Sequence, residues 1–381
     1  MPRISLINDN QSLLLDKPTK PTSKNRLLAL DVFRGITLFM MCNVNNQIGP
    51  QVFPQLEHAD WNGLTLTDLV FPFFIFAMGM AFRLVCEKQS SMPMTKVLKR
   101  SSLLFFWGLV PIFYSRVLSH SDDIFSQMRI MGVLQRIALT YFLISSLYVL
   151  LPKSWFLQSL LVITLSVIYL MFMLLAPVPG CGSGVLTPEC NFSGYLDRLI
   201  LGRDHIYRQG HFDPEGLFGT LSSLSTAFLG VILADRYLKS SKKLVCFSVF
   251  SFICLISGYI LHLFVIPVNK SLWTTSYSLV SAGFAGFFFL FLFIVIDMWK
   301  VQSVFAPFKA MGSNSLIIFV GSGILVISLL NLYWAHGNWY ALPYYYFSKI
   351  LCPKLASLCS ALLHSFFWMI VTAAMYKRRS F

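Results

Sequence analysis

The sequence predicts an all-α polytopic membrane protein, a bundle of about ten transmembrane helices with long extracytoplasmic loops, because its apolar runs approach the roughly 20 residues that cross a bilayer. Two further observations support that class. Hydrophobic residues form 56% of the chain and charged residues 12%, against the roughly 25% charge of a soluble domain. The runs are also continuously apolar, which sets aside a β-barrel, whose shorter strands alternate between lipid and lumen.

Taken in order, residues 1–26 hold Arg3, Lys17, Lys20, Lys24, Arg26 and prolines but no apolar stretch of signal-peptide length, so they read as a disordered cytoplasmic tail. Residues 27–381 form one membrane domain, with runs at 27–48, 63–82, 101–118, 131–151, 154–176, 217–234, 244–266, 272–296, 312–332 and 356–376. The first carries Asp31 and Arg34, which at this spacing pair on one helix face, and ends on Asn43, Asn45 and Asn46. Asn62-Gly63 is a turn signal before the second run, which opens with Asp68. Arg129, Gln135 and Arg136 enter the fourth, and Asp213-Pro214-Glu215-Gly216 opens the sixth, where helix capping and the dipole account for the acids. Gly312 marks a break at the ninth, followed by Ser313 and Asn314 placed to line a cavity. The third, fifth, seventh, eighth and tenth are read from length and apolarity alone. Connections longer than about 12 residues fall at 49–62, 83–100, 116–130, 177–216 and 333–355.

Charge sets the orientation. With both termini cytoplasmic, inner segments carry 20 of the 30 Lys and Arg residues and outer segments carry eight, the remaining two, Arg34 and Arg136, lying within runs. The long loops, including the one with His58, then face the extracytoplasmic side. A net charge of +14 needs no nucleic acid, since basic inner loops suit orientation and anionic lipid. Cys181 and Cys190 share one outer loop, where an oxidising compartment favours a disulfide. No CxxC or HxxxH spacing occurs, so no metal is expected.

Ionisable groups at a membrane boundary are costly to keep, which makes Glu57 to Pro72, with His58, Asp60, Trp61, Asn62 and Asp68, the richest candidate site. His58 is either a hydrated interfacial histidine or a reacting group. Asp68 lies ten residues on, so contact needs a turn at 58–63; otherwise it pairs with an arginine of another helix. Helical spacing sets Asn43 and Asn46 on one side, as interhelical glue, and points Asn45 elsewhere. Arg129, Gln135 and Arg136 form either a socket for phosphate or carboxylate, or a snorkelling Arg129 beside an Arg136 that neutralises Asp68.

The strings Leu30 to Gly35, His58 to Thr65, Asp68 to Pro72, Arg129 to Tyr141, Gly194 to Arg198, Asp213 to Thr220, Ile266 to Trp273 and Gly312 to Ser315 resemble, together and in order, the heparan-alpha-glucosaminide N-acetyltransferase family. The resemblance implies a transmembrane acyltransferase over residues 27–381. It implies transfer of acetyl from cytoplasmic acetyl-CoA to the amine of a glucosamine-like amino sugar or glycan on the far side of the membrane. The family's active-site histidine matches His58, its partner asparagine Asn45, and a nearby aspartate Asp68. On this reading Arg129, Gln135, Arg136, Ser313 and Asn314 serve the donor, and Trp61, Asn62, Asn269 and Lys270 the acceptor. A compact bacterial relative in the inner membrane is expected, and the resemblance is compatible with a homodimer.

The residues suit that chemistry on their own terms. Acyl transfer to an amine needs the amine deprotonated, a task for a histidine, and the oxyanion stabilised, a task for the Asn45 amide. Two other classes are carried beside it. One is a sugar or proton-coupled transporter with His58 and Asp68 as relay, for which broken spans in matching halves would speak. The other is an accessory subunit without activity.

Overall fold

The computed structural model describes residues 27–88, 93–119, 123–150, 154–207, 210–335 and 337–378. The tail expected over 1–26 lies outside the described residues, as do Lys153, Arg208 and Arg379 of the charge count. The rest is helical: α1 (Leu28–Val44), α2 (Leu66–Lys88), α3 (Met94–Leu118), α4 (Val133–Leu150), α5 (Trp155–Leu175), α6 (Phe192–Leu201), α7 (Leu217–Lys239), α8 (Lys243–Phe264), α9 (Thr275–Leu292), α10 (Ala306–Ser313), α11 (Ser315–Asn331), α12 (Leu342–Phe347) and α13 (Pro353–Arg378). A two-residue antiparallel pair, β1 (Tyr333–Trp334) and β2 (Gly337–Asn338), joins α11 to α12.

The all-α membrane class holds, with eight to nine candidate spans among the described residues where about ten are expected. Among the described residues eight helices are long and apolar enough to cross a membrane: α2, α3, α4, α5, α7, α8, α9 with its π-helical extension to Met298, and α13. The run expected at 312–332 is the second arm of a pair, α10 and α11, bent by 82° and passing the same test only together. The run expected at 27–48 forms α1, whose 17 residues cover about 26 Å by helical rise, at the short end of what crosses a bilayer. It stops where the three asparagines begin to satisfy backbone groups themselves: Asn46 Nδ2 donates to the Cys42 carbonyl at 2.6 Å.

Burial separates an inner ring from an outer one. α2, α7 and α9 are mostly buried, whereas α3, α5, α8 and α13 turn residues such as Phe106, Phe156, Ile253 and Ile370 outward, the all-round apolarity of lipid-facing helices. Small residues let the inner helices approach. A Cβ at Gly79 of α2 would overlap the Ala227 carbonyl of α7, and one at Gly230 of α7 would overlap the Phe76 carbonyl of α2, a glycine-mediated contact. α1 and α10 meet in the same way through Gly35 and Gly312. An ion pair completes the α2–α7 contact: Arg83 Nη2 donates to Asp235 Oδ1 at 3.0 Å, both side chains being buried, and Lys239 reaches the same carboxylate at 3.0 Å.

The loops at the α2 N-terminal end fold on one another. Cys181 and Cys190 are joined by a disulfide with Cα atoms 5.8 Å apart. Beyond it Asn191 caps α6, accepting from Gly194 N at 2.6 Å. Asp197 of α6 then accepts from Leu217 N at 2.8 Å, tying this loop to the start of α7.

Candidate active site

Asp68, in the first turn of α2, is the anchor of the site. Its Oδ2 accepts from Ala59 N and Thr65 N, both at 3.1 Å, and from Thr65 Oγ1 at 3.0 Å. Its Oδ1 lies 2.7 Å from His58 Nδ1. One buried carboxylate therefore folds residues 57–65 around itself and fixes the imidazole. The turn expected at 58–63 forms, with Gly63 at φ 126°, a backbone region that glycine adopts freely. Asp68 is paired with His58 and not with Arg136, which settles the two readings of the sequence.

A carboxylate only accepts, so Nδ1 of His58 donates to it, and in the neutral ring Nε2 is then the acceptor. The Asp68 side chain is 1% exposed and that of His58 is 53% exposed. The imidazole is thus held from behind and open in front. Lys270 Nζ lies 2.9 Å from His58 Nδ1, 3.3 Å from Nε2 and 3.5 Å from Asp68 Oδ1. Burial lowers Lys270 from the ordinary lysine range, while Asp68 and Glu215 act to restore it.

His58 opens on a cavity of about 450 Å³ that runs through the bundle. Asn45, Thr67, Glu215 and Lys270 share the His58 end, and Arg34, Arg100 and Ser315 line the remote part. Leu38, Met41, Val70, Phe74, Met78 and Leu134 are among the apolar walls between. Along α2 the lining extends from Thr67 to Val85, about 27 Å by helical rise. At the remote part Arg34 Nη2 donates to Ser315 Oγ at 3.2 Å, and the Arg100 guanidinium lies 4.8 Å from the Tyr141 ring centre.

The structure brings some sequence candidates together and separates others. Asn45, exposed at the end of α1, lines the cavity with His58. Asn43 and Asn46 are buried beside it, and Asn46 Oδ1 accepts from Tyr340 at 3.2 Å. Trp61 donates to the Leu186 carbonyl at 2.8 Å and packs edge-on against Phe212. Asn269 Nδ2 donates to Asn62 Oδ1 at 3.1 Å, joining the His58 loop to the turn that carries Lys270.

The five residues assigned to the donor do not line the cavity. Arg129 binds Asp213 through Nε at 3.0 Å and Nη2 at 2.5 Å, and Glu215 at 2.5 Å. Although burial acts to lower it, these acids hold it above the ordinary arginine range. Arg136 is fully buried, donating to the Gly216 carbonyl at 2.9 Å with its guanidinium 5.0 Å from the Trp273 ring centre. Gln135 is buried next to it. Ser313 and Asn314 turn back onto the α10 backbone, at the Lys309 and Ala310 carbonyls, leaving Ser315 as the lining residue.

Sequence reasoning passed over Glu215 and Arg100. Glu215 is sufficiently explained in sequence as a helix-opening acid, and nothing in one dimension shows that it lines the same cavity as His58. Asp197 carried a weaker signal: burial, with Asp213 nearby, raises it to about 7, and Oδ2 has no hydrogen-bond partner among the described residues. Among those residues no group of three His, Cys, Asp or Glu side chains is arranged to hold a metal ion.

Comparison with known proteins bears on this geometry. Residues 26–179 match the family model described as heparan-alpha-glucosaminide N-acetyltransferase, catalytic. The heparan-alpha-glucosaminide N-acetyltransferase of Mus musculus is 33% identical over 369 residues, covering 81% of this chain and 55% of that protein. That of Homo sapiens is 33% identical over 358 residues, covering 78% and 52%. The chain spans about half the length of the curated relatives it matches. Asn45, His58 and Asp68 fall inside the family match, whereas Glu215 and Lys270 lie beyond it.

Proposed function

The chain belongs, through residues 26–179, to the heparan-alpha-glucosaminide N-acetyltransferase catalytic family, and from that premise we propose that it acetylates the amine of an amino sugar, using acetyl-CoA as donor. The observation that carries the proposal is the cavity joining the Asp68–His58 pair at one end to Arg34 and Arg100 in its remote part.

The donor fits the residues present. An apolar passage suits a long, thin, weakly polar arm, and guanidiniums in the remote part suit phosphates. When bound, the thioester supplies the activated acetyl group. As the amine nitrogen bonds to the acetyl carbon and the C–S bond breaks, His58 takes the amine proton on Nε2, because Nδ1 is committed to Asp68, and passes it to the departing CoA sulfur. Asp68 fixes the tautomer and steadies the imidazolium that forms, the part an aspartate plays in a catalytic triad. Asn45 donates an amide N–H toward the oxygen on which negative charge develops. Trp61, Asn62 and Asn269 shape the acceptor side. Direct transfer is favoured over an acetyl-His58 carrier, since the base role needs no separate activation of the ring as a nucleophile.

On the charge bias of the loops, the His58 end faces away from the cytoplasm and both termini face it. The donor then enters from the cytoplasmic end, and the acceptor never has to cross. The expected site is the inner membrane of a bacterium.

One feature favours transport instead: the 82° break between α10 and α11, since discontinuous helices mark transporter sites. Among the described residues it is the one such bent pair, and transporter repeats would place a counterpart in the other half. The test is to incubate the purified protein with acetyl-CoA and a panel of amino sugars and to measure free CoA thiol. Acceptor-dependent release supports acetyl transfer; amino-sugar uptake into sealed vesicles without CoA release would support the transporter.

A further inference from the structure

A buried aspartate beside a histidine raises a difficulty that the structure itself answers. Asp68 is tied down by three donors and lies 2.7 Å from the imidazole. A carboxylate so placed favours a second proton on the ring, because it stabilises imidazolium over imidazole. A histidine that is already charged cannot accept a proton from an amine. A positive charge close to the ring opposes that preference.

Lys270 supplies it. Its Nζ is near both ring nitrogens, 2.9 Å from Nδ1 and 3.3 Å from Nε2. A donor aligned on one in-plane lone pair of imidazole lies far from the other nitrogen, so proximity to both places the ammonium against the ring. The Nδ1 contact is therefore electrostatic, since the Nδ1 proton is committed to Asp68, and Nε2 stays open to the cavity.

The position is built by the chain. Asn269, next to Lys270, is fully buried and accepts from Leu272 N at 2.9 Å while donating to Asn62 at 3.1 Å. Gly63 N donates to the Val268 carbonyl at 2.8 Å. Two ties thus bind the Lys270 turn to the His58 loop. Trp273 closes the turn at φ 55°, its nitrogen donating to the Lys270 carbonyl at 3.0 Å. That conformation is costly for a bulky residue and is retained where the indole packs against Phe71 and Tyr277.

We infer that Lys270 is a positioning residue for the reaction, an ammonium fixed against the His58 ring that opposes its protonation and keeps the base neutral under working conditions. The inference rests on His58 being the reacting base. The charges facing His58 are Asp68 from α2, Lys270 from the turn before α9, and Glu215 across the cavity, with Glu57 and Asp60 on its own loop. Asp68 and Glu215 favour the imidazolium; burial lowers Lys270 from the ordinary lysine range while the same two carboxylates act against that fall, and Arg129 is paired with Glu215. Lys270 is the cation in contact with the ring.

The test is the protonation midpoint of His58, read by NMR on the full chain labelled at histidine in detergent micelles, with the resonance assigned by its loss in His58→Gln. Lys270→Met is expected to raise the midpoint by about one pH unit, and Lys270→Arg to return it close to wild type. The acid limb of kcat/KM for acetyl transfer should move to higher pH by the same amount in Lys270→Met. Should that variant melt early, Lys270→Gln makes the same comparison. An unchanged midpoint in both uncharged variants overturns the inference, even if activity falls. Absence of transfer in the wild type, with the midpoint shift intact, instead overturns the proposed reaction and leaves the electrostatic pairing standing.

Discussion

At the residue scale, Asp68 performs two tasks that substitution can separate. It accepts three hydrogen bonds that close the 57–65 loop, and a fourth contact fixes His58. Asp68→Asn keeps the shape but offers an N–H where an acceptor is needed, so the imidazole is free to flip its tautomer. We expect kcat to fall about 10²- to 10⁴-fold, following the triad precedent, with a lowered melting temperature reflecting about 1–3 kcal/mol for disturbed buried hydrogen bonds. Wild-type kcat in a folded Asp68→Asn would mean that His58 needs no orienting partner. The Asn45 direction was legible in sequence because residues 43 and 46 share a helix side and 45 does not, and the structure buries the first two and exposes the third. The partners of Arg129 were not legible. They lie 84 and 86 residues away, and local sequence shows a cationic cluster without its carboxylates.

At the element scale, α1, α2, α3, α4 and α11 line the passage, and α7 backs α2 from behind. Gly79 and Gly230 let α2 and α7 touch backbone to backbone, so Gly79→Val forces the helices apart. Overpacking of this kind costs about 1–3 kcal/mol, and we expect a lower melting temperature in detergent. Ile253→Ala on the outward face of α8 should melt close to wild type. Equal melting of Gly79→Val and wild type would show that the contact is not tight. Apolar runs located these helices well, because length and continuity are one-dimensional properties. They also located α1 and α11, and Gly312 marked the break before α11; what hydropathy does not carry is the 82° bend that sets α11 against α10.

At the scale of the molecule, the account is one of reach: a donor drawn from one end must present its acetyl group at the other. Met78 lines the apolar middle of the cavity, so Met78→Trp should obstruct the arm of the donor while leaving His58, Asp68 and Asn45 in place. We expect KM for acetyl-CoA to rise about tenfold or more with the acceptor KM little changed, the sign of lost donor binding. An unaltered donor KM would place the donor elsewhere. The sequence made the membrane class, the site loop and its turn readable, since each depends on neighbours in the chain. The cavity was not readable, because helices from distant parts of the chain line it and no local pattern marks their inner faces. The most direct test of the central claim is acceptor-dependent CoA release by wild type and by His58→Ala, with insertion and melting temperature measured alongside. The account predicts release by the wild type and its loss, by about 10²-fold or more, in a variant that still inserts and folds. Near wild-type turnover in His58→Ala would contradict it.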